Sequence, residues 1–325
     1  MKLPRRQFLH LAAGAAALPA LSRIARAEAY PSRPVRLIVP FPAGGPTDVV
    51  ARLMGQWLSD RLGQPFIIEN RPGAGSTIGT EAVVRAAADG YTLLSVSTSS
   101  AINATLYDKL NFNFIRDIAP VATISRNTHV MAVHPSMPAK TVPEFIAYSK
   151  ANPGKINMAS AGSGSTSHVS GELFKIMTGV NLVHVPYRGA GPALVDLLAG
   201  VVQVYFSPTP PAIEYIKARK LRALAVTTAL RSEALPDLPT VADYVPGFES
   251  SSWQGVGAPA NTPPGVVEKL NREINTALAD PKFKAQLADL GGAVLPGSPA
   301  DFAKLIAEEI EKWGNVIRAL NIKAE

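Results

Sequence analysis

The sequence has no cysteine among its 325 residues. That excludes disulfides, thiolate metal centres, cysteine nucleophiles and iron–sulfur clusters together. It also excludes the lipid-modified cysteine that tethers many exported proteins. Charge is sparse, at 18% of residues, and its sign misleads. The formal net charge is +7, but residues 1–27 hold Lys2, Arg5, Arg6, Arg23 and Arg26 and no acid, so the remainder carries +7 − 5 = +2. No cluster of Lys and Arg with interleaved aromatics occurs, so a nucleic-acid partner is not expected. Beyond residue 27 no apolar run approaches the roughly 20 residues that a membrane span requires. Internal repeats and low-complexity segments are also missing.

What is present begins with an export pattern. Arg5 and Arg6 precede an apolar stretch over residues 8–21. Two small-x-small sites follow, Ala25-Arg26-Ala27 and Ala27-Glu28-Ala29. This order predicts a signal peptide over residues 1–27, with either cleavage site open. Arg5-Arg6-Gln7-Phe8-Leu9 resembles a twin-arginine signal, although Pro4 and His10 replace the usual hydroxyl and Lys. General secretory export stays open beside it. An exported chain with no lipid tether needs an outer membrane to retain it, which predicts the periplasm of a Gram-negative cell.

Along the rest of the chain, short apolar strands alternate with amphipathic helices. Strands are expected at 35–39, 66–68, 91–97, 129–133, 156–159, 182–185, 201–206, 221–226 and 254–258. Helices are expected at 48–62, 78–88, 142–151, 166–178, 190–199 and 211–218, and near 263–279, 281–290 and 299–320. In the first helix Val50, Leu53, Met54, Trp57, Leu58 and Leu62 recur at spacings of three and four. Thr47 or Asp48 is placed to cap it and Gly63 to end it. The alternation predicts an α/β protein of mostly parallel sheets flanked by helices, and the strand count suits two sheets better than one.

Such sheets bind ligands at the carboxyl ends of their strands. Four glycine-rich loops occupy that position. They are Phe41-Pro42-Ala43-Gly44-Gly45-Pro46-Thr47-Asp48, Asn70-Arg71-Pro72-Gly73-Ala74-Gly75-Ser76-Thr77, Ser160-Ala161-Gly162-Ser163-Gly164-Ser165-Thr166 and Pro186-Tyr187-Arg188-Gly189-Ala190-Gly191. Each follows a strand and opens a helix. The first turn of a helix carries unpaired N–H groups and partial positive charge. Glycine lets backbone approach a ligand, and Ser and Thr add hydroxyl donors. Such ends bind carboxylate or phosphate without lysine. The same glycines also serve as plain punctuation between elements. The second loop looks like a dinucleotide fingerprint, but its third glycine is one place late and no acid ends the next strand.

Catalysis finds little support. His129 and His184 fall in strands, and His134 opens a Pro-containing loop. No two histidines have metal-ligand spacing with a carboxylate. Gly162-Ser163-Gly164 is not a nucleophile elbow. Ser165 and His168 form an imaginable nucleophile and base, without an acid to orient the imidazole. No cofactor is expected.

The loops and their surroundings resemble the extracytoplasmic receptors of the tripartite tricarboxylate transporter family, also called Bug receptors. The signatures are Tyr30-Pro31-Ser32-Arg33-Pro34-Val35, Val39-Pro40-Phe41 through Asp48, Glu69-Asn70-Arg71-Pro72-Gly73-Ala74-Gly75 and Val185-Pro186-Tyr187-Arg188-Gly189. Leu221-Arg222-Ala223-Leu224-Ala225-Val226, Leu238-Pro239-Thr240-Val241-Ala242 and Trp253-Gln254-Gly255-Val256 follow in order.

The resemblance implies a two-lobed periplasmic-binding fold of the second type, with two crossovers near 128 and 250. One lobe would be 30–127 plus 251–325 and the other 128–250. It implies a monomeric, non-enzymatic clamp that captures a dicarboxylate, tricarboxylate or aromatic acid and delivers it to membrane permease subunits. A sensor that presents its loaded form to a signalling receptor would use the same clamp. A hydrolase using Ser165 and His168 is the third reading. Carried over, Phe41, Ala43, Gly44, Gly45, Thr47 and Asp48 would grip a carboxylate from one lobe. Ser160, Gly162, Gly164 and Ser165, with His168 beside them, would grip it from the other. Thr98, Ser99, Tyr187 and Gly189 would complete the pocket. Ser207 stands where the family often has an acid, which leans away from ligands carrying an amino group. Asp48 has a second reading as a cap of its own helix.

Overall fold

The computed structural model describes residues 30–107, 109–232 and 234–323. The expected signal peptide lies outside the described residues. No described helix is long and apolar enough to cross a membrane.

The chain runs β1 (Val35–Val39), α1 (Pro46–Leu62), β2 (Phe66–Asn70), α2 (Thr77–Val84), β3 (Thr92–Ser97), α3 (Thr98–Leu106) and α4 (Phe114–Asp117). Then come β4 (Ile118–Val133), α5 (Val142–Ala151), β5 (Asn157–Ser160), α6 (Thr166–Thr178), β6 (Val183–Pro186), α7 (Ala190–Leu198), β7 (Val204–Pro208), α8 (Thr209–Lys217) and β8 (Arg222–Val226). It closes with β9 (Ser251–Pro259), α9 (Pro264–Ala279), α10 (Pro281–Asp289), β10 (Gly292–Val294) and α11 (Pro299–Ala319).

The strands form two parallel sets. In one, β1 lies between β2 and β3; in the other, β5 lies between β6 and β7. The link between them is β4, a strand of 16 residues. Its residues Ile118 to Thr128 pair with β9, and its last five, His129 to Val133, pair with β7. One strand therefore belongs to both sheets. The chain returns where Ser250 N–H donates to Thr227 O at 2.9 Å, one residue before β9. Every pair made by β4 or β9 is antiparallel, so the sheets are mixed and not mostly parallel. The reason is topological: a strand that crosses over and a strand that returns run in opposite directions.

Both faces of both sheets are buried. On one face of the first sheet Leu37, Leu93 and Val256 pack with Met54 of α1 and Ile274 of α9. On the other, Val96 and Trp253 pack with Phe302 and Trp313 of α11. Phe145, Phe174, Phe206 and Phe248 fill one face of the second sheet, and Leu194, Leu197 and Tyr205 the other. This is the two-lobed α/β arrangement, with helices on every sheet face. Across the junction Lys312 of α11 holds Glu249 at 2.9 Å.

Candidate functional site

All four glycine loops lie at carboxyl ends of parallel strands, and they come in two adjoining pairs. The first and second loops meet through Asn70, whose Nδ2 donates to Phe41 O at 3.0 Å and to Asp48 Oδ1 at 2.8 Å. Asp48 is 1% exposed. Its Oδ2 accepts from Gly44 N–H at 2.8 Å and from Arg52 Nε at 2.9 Å. Burial opposes its charge, but the bonds from Arg52, Gly44 and Asn70 outweigh that and hold its carboxyl below the ordinary range. Asp48 is not the helix cap. Gly45 is the N-cap and makes no side-chain bond, and Pro46 begins the helix without an N–H to satisfy. The carboxylate instead ties Gly44 back to the helix. It leaves the first-turn amides of Thr47 and Asp48 without an acceptor among the described residues. Ala43 and Gly44 are exposed, and Phe41, Gly45 and Thr47 are half-buried.

The third and fourth loops are joined by backbone. Tyr187 N–H donates to Ser160 O at 3.0 Å, and Gly189 N–H to Ala161 O at 3.1 Å. Much of the third loop's donor capacity is used internally, contrary to the expectation of open amides. Ala161 N–H donates to Ser167 Oγ at 2.9 Å, Gly162 N–H to Ser160 Oγ at 3.2 Å and Gly164 N–H to His168 Nδ1 at 3.0 Å. Ser165 is the N-cap of α6 and accepts from His168 N–H. Its own hydroxyl donates to Gly162 O at 2.6 Å. His168 is turned beneath the loop, 5% exposed, and stacks on His184 with ring centroids 3.7 Å apart. Its place is the loop's underside and not its open surface.

The two pairs of loops are connected by α3, a helix that sequence periodicity missed. Its Asn103 donates from Nδ2 to Gly75 O in the second loop. Its Leu106 lies against Gly164 in the third, where an added Cβ would collide with it. Gly164 also has φ +74°, so glycine is required there twice over. The N-terminus of α3 is uncapped. Ser97 makes no capping bond, and the hydroxyls of Ser97 and Ser100 are buried without a partner among the described residues. Thr98 Oγ1 accepts from Trp253 N–H at 2.8 Å, anchoring this turn to β9, while Ser99 is half-buried. Tyr187 donates its hydroxyl to Asp196 at 2.6 Å. Ser207 is fully buried in β7 and its hydroxyl donates to Pro208 O at 3.0 Å.

The nucleophile reading fails on this geometry. A base for Ser165 would need its hydroxyl proton, and that proton goes to a carbonyl. His168 Nδ1 is meanwhile occupied by an amide. The residues that sequence reasoning overlooked are Asn70, Asn103, His184 and Ser167, which hold the loops from behind. Asn70 and Ser167 lie within or beside the glycine motifs; Asn103 gave no signal because α3 went unread.

Two lobes sharing crossing strands, with helix-opening turns at the carboxyl ends of the parallel strands, define a periplasmic binding protein of the α/β kind. Similarity narrows the class. The family described as "Tripartite tricarboxylate transporter family receptor" matches residues 50–322. BugT of Bordetella pertussis is 39% identical over 300 residues, covering 91% of this chain and 92% of BugT. Rpa4515 of R. palustris, solved with adipate, is 37% identical with a TM-score of 0.79, covering 90% of this chain and 99% of that one. MatC of Rhodopseudomonas palustris, solved with bound malate, is 34% identical with a TM-score of 0.76, covering 89% and 100%. The chain belongs to the tripartite tricarboxylate transporter receptor family. It is a solute-binding receptor and not an enzyme.

Proposed function

We propose that this receptor captures a small organic carboxylate between its lobes and delivers it to a tripartite tricarboxylate-type permease. The observation that carries the reading is the pair of uncapped helix starts, α1 at Thr47 and Asp48 and α3 at Thr98 and Ser99. Both offer unpaired amides and a positive dipole end to an anion. One lobe is residues 30–127 with 251–325 and the other 128–250, so that β4 and β9 act as the two connecting strands. Gly45, Thr47, Thr98 and Ser99 grip from the first lobe, and the first turns of α6 and α7, which Ser165 and Gly189 introduce as N-caps, grip from the second. Relatives solved with adipate and with malate support an acid as guest. The guest here is a dicarboxylate, tricarboxylate or aromatic acid without an amino group, since Ser207 offers no counter-charge. The twin-arginine-like start supports export to a Gram-negative periplasm, where the protein works as a monomer.

A thermal-shift and calorimetric screen of organic acids tests this. A bound acid at one hundred times its Kd stabilises by about 2.7 kcal/mol. For a chain of this size that raises the melting temperature by several degrees. The expected result is a clear shift with at least one dicarboxylate, tricarboxylate or aromatic acid and none with the matching amides. No shift across a broad panel would overturn the proposal.

A further inference from the structure

We infer that His168 is a positioning residue that sets the third glycine loop for its ligand by holding the Gly164 amide, without touching the ligand itself. The inference rests on the carboxylate reading above and adds the part of the site that shapes it. Gly164 N–H donates to His168 Nδ1 at 3.0 Å. Gly164 is the point at which the loop meets Leu106 of α3, so fixing this amide fixes the loop against the opposite lobe.

The imidazole is itself fixed. It stacks on His184 at 3.7 Å with an interplanar angle of 9°. His184 Nε2 lies 2.6 Å from Ser160 Oγ, and that oxygen accepts the Gly162 N–H. Two stacked rings thus govern two amides of one turn, Gly164 directly and Gly162 through Ser160. On its own helix His168 faces Glu172, with Nε2 3.7 Å from Oε1, and Glu172 is shared with Lys175 at 2.7 Å. From β6 it faces His184.

Accepting through Nδ1 obliges the ring to be neutral and to carry its proton on Nε2. A protonated ring has no lone pair for Gly164. Burial, the nearby His184 and Lys175 favour the neutral form.

The test uses the whole protein with His168→Ala and His168→Asn, in which Asn Oδ1 takes the place of Nδ1. Three readouts are taken: ring-nitrogen NMR, amide exchange at Gly164, and calorimetric titration with adipate and with malate as probes. The wild-type ring should be the Nε2–H tautomer. His168→Ala should speed Gly164 exchange by about tenfold and weaken the bound probe by about tenfold, the size of one lost hydrogen bond. His168→Asn should recover both to within about threefold, although its melting temperature falls as well. A merely structural histidine would give no such recovery.

An Nδ1–H tautomer, or unchanged Gly164 exchange in His168→Ala, would overturn the inference. Faster exchange with unchanged probe affinity would overturn it too, because the loop's setting would then not matter to binding. If the wild-type protein binds neither acid, the acid that most raises its melting temperature replaces them as probe; if no acid of the panel does so, the carboxylate reading falls, and the nitrogen and exchange results still decide the bracing.

Discussion

Asp48→Ala is expected to lower stability by about 3 kcal/mol and to weaken carboxylate binding at least tenfold. The wild-type side chain is almost wholly buried and accepts three hydrogen bonds, from Gly44 N–H, Arg52 Nε and Asn70 Nδ2. Alanine leaves the Gly44 and Asn70 donors facing a gap, and the Arg52 guanidinium loses its counter-ion. The stability loss follows from those unpaired donors. The binding loss follows from the slackened turn, because Gly44 is no longer tied to the helix start that presents Thr47 and Asp48. Asp48→Asn keeps an acceptor and loses the charge, so it should fall between. Urea unfolding measures the first effect and calorimetry with adipate or malate the second. A stability change under about 0.5 kcal/mol, the scale of an ordinary surface substitution, would show that the carboxylate is not the brace described.

Acid is expected to destabilise the protein well above the range in which carboxylates titrate. Burial pushes His129 down to about 4, against the opposing effect of the bond its ring donates to the Phe206 backbone carbonyl. Burial, then His184 and Lys175, pushes His168 down to about 3. Both folded values lie below the unfolded value of about 6.5. Between them the unfolded chain binds protons that the native protein refuses, so stability falls as pH falls. At pH 4 the loss is on the order of 3 kcal/mol from each histidine relative to pH 7.5. Asp48 adds to this only at lower pH, since its depressed value keeps its contribution until pH falls through the folded pKa. The sum is a large part of a typical domain's 5–15 kcal/mol, roughly. Urea midpoints at pH 7.5, 6 and 4.5 measure the slope, and His129→Gln should remove about half of it. A flat profile from pH 7 to 4.5 would contradict the burial of neutral imidazoles.

The sequence made much of the architecture legible, because most elements announced themselves by period and punctuation. The helix over 142–151 and that over 166–178 fall where they were expected, each ended by its own local signals. What escaped was the element that makes two lobes from one chain. Only 129–133 reads as strand from its apolar run, whereas β4 starts eleven residues earlier. That stretch carries Pro120 and the polar run Ser125-Arg126-Asn127-Thr128, and its register slips at two places. Proline and broken alternation are ordinary arguments against a central strand. They fail here because irregularities absorb them and the partner strand β9 supplies the context.

The site was half legible for a similar reason. Glycine spacing located the turns, but not which amides stay open. Asp48 and His168 have the residue types of ligand contacts, yet both are spent on holding loops in place. Only three-dimensional neighbours such as Asn70 and His184 reveal that. Conversely α3 was hidden by its Thr98-Ser99-Ser100 opening, whose small polar residues read as loop. That same lack of a cap is what leaves its first-turn amides without a capping side chain.

The most direct measurement is an amide chemical-shift titration of the isotopically labelled protein with the acid that most raises its melting temperature. Shifts at Thr47 and Ser99 on one side and at Ser165 and Gly189 on the other, saturating together at a single Kd, are what this account predicts. Shifts confined to one side, or distributed away from these turns, would contradict it.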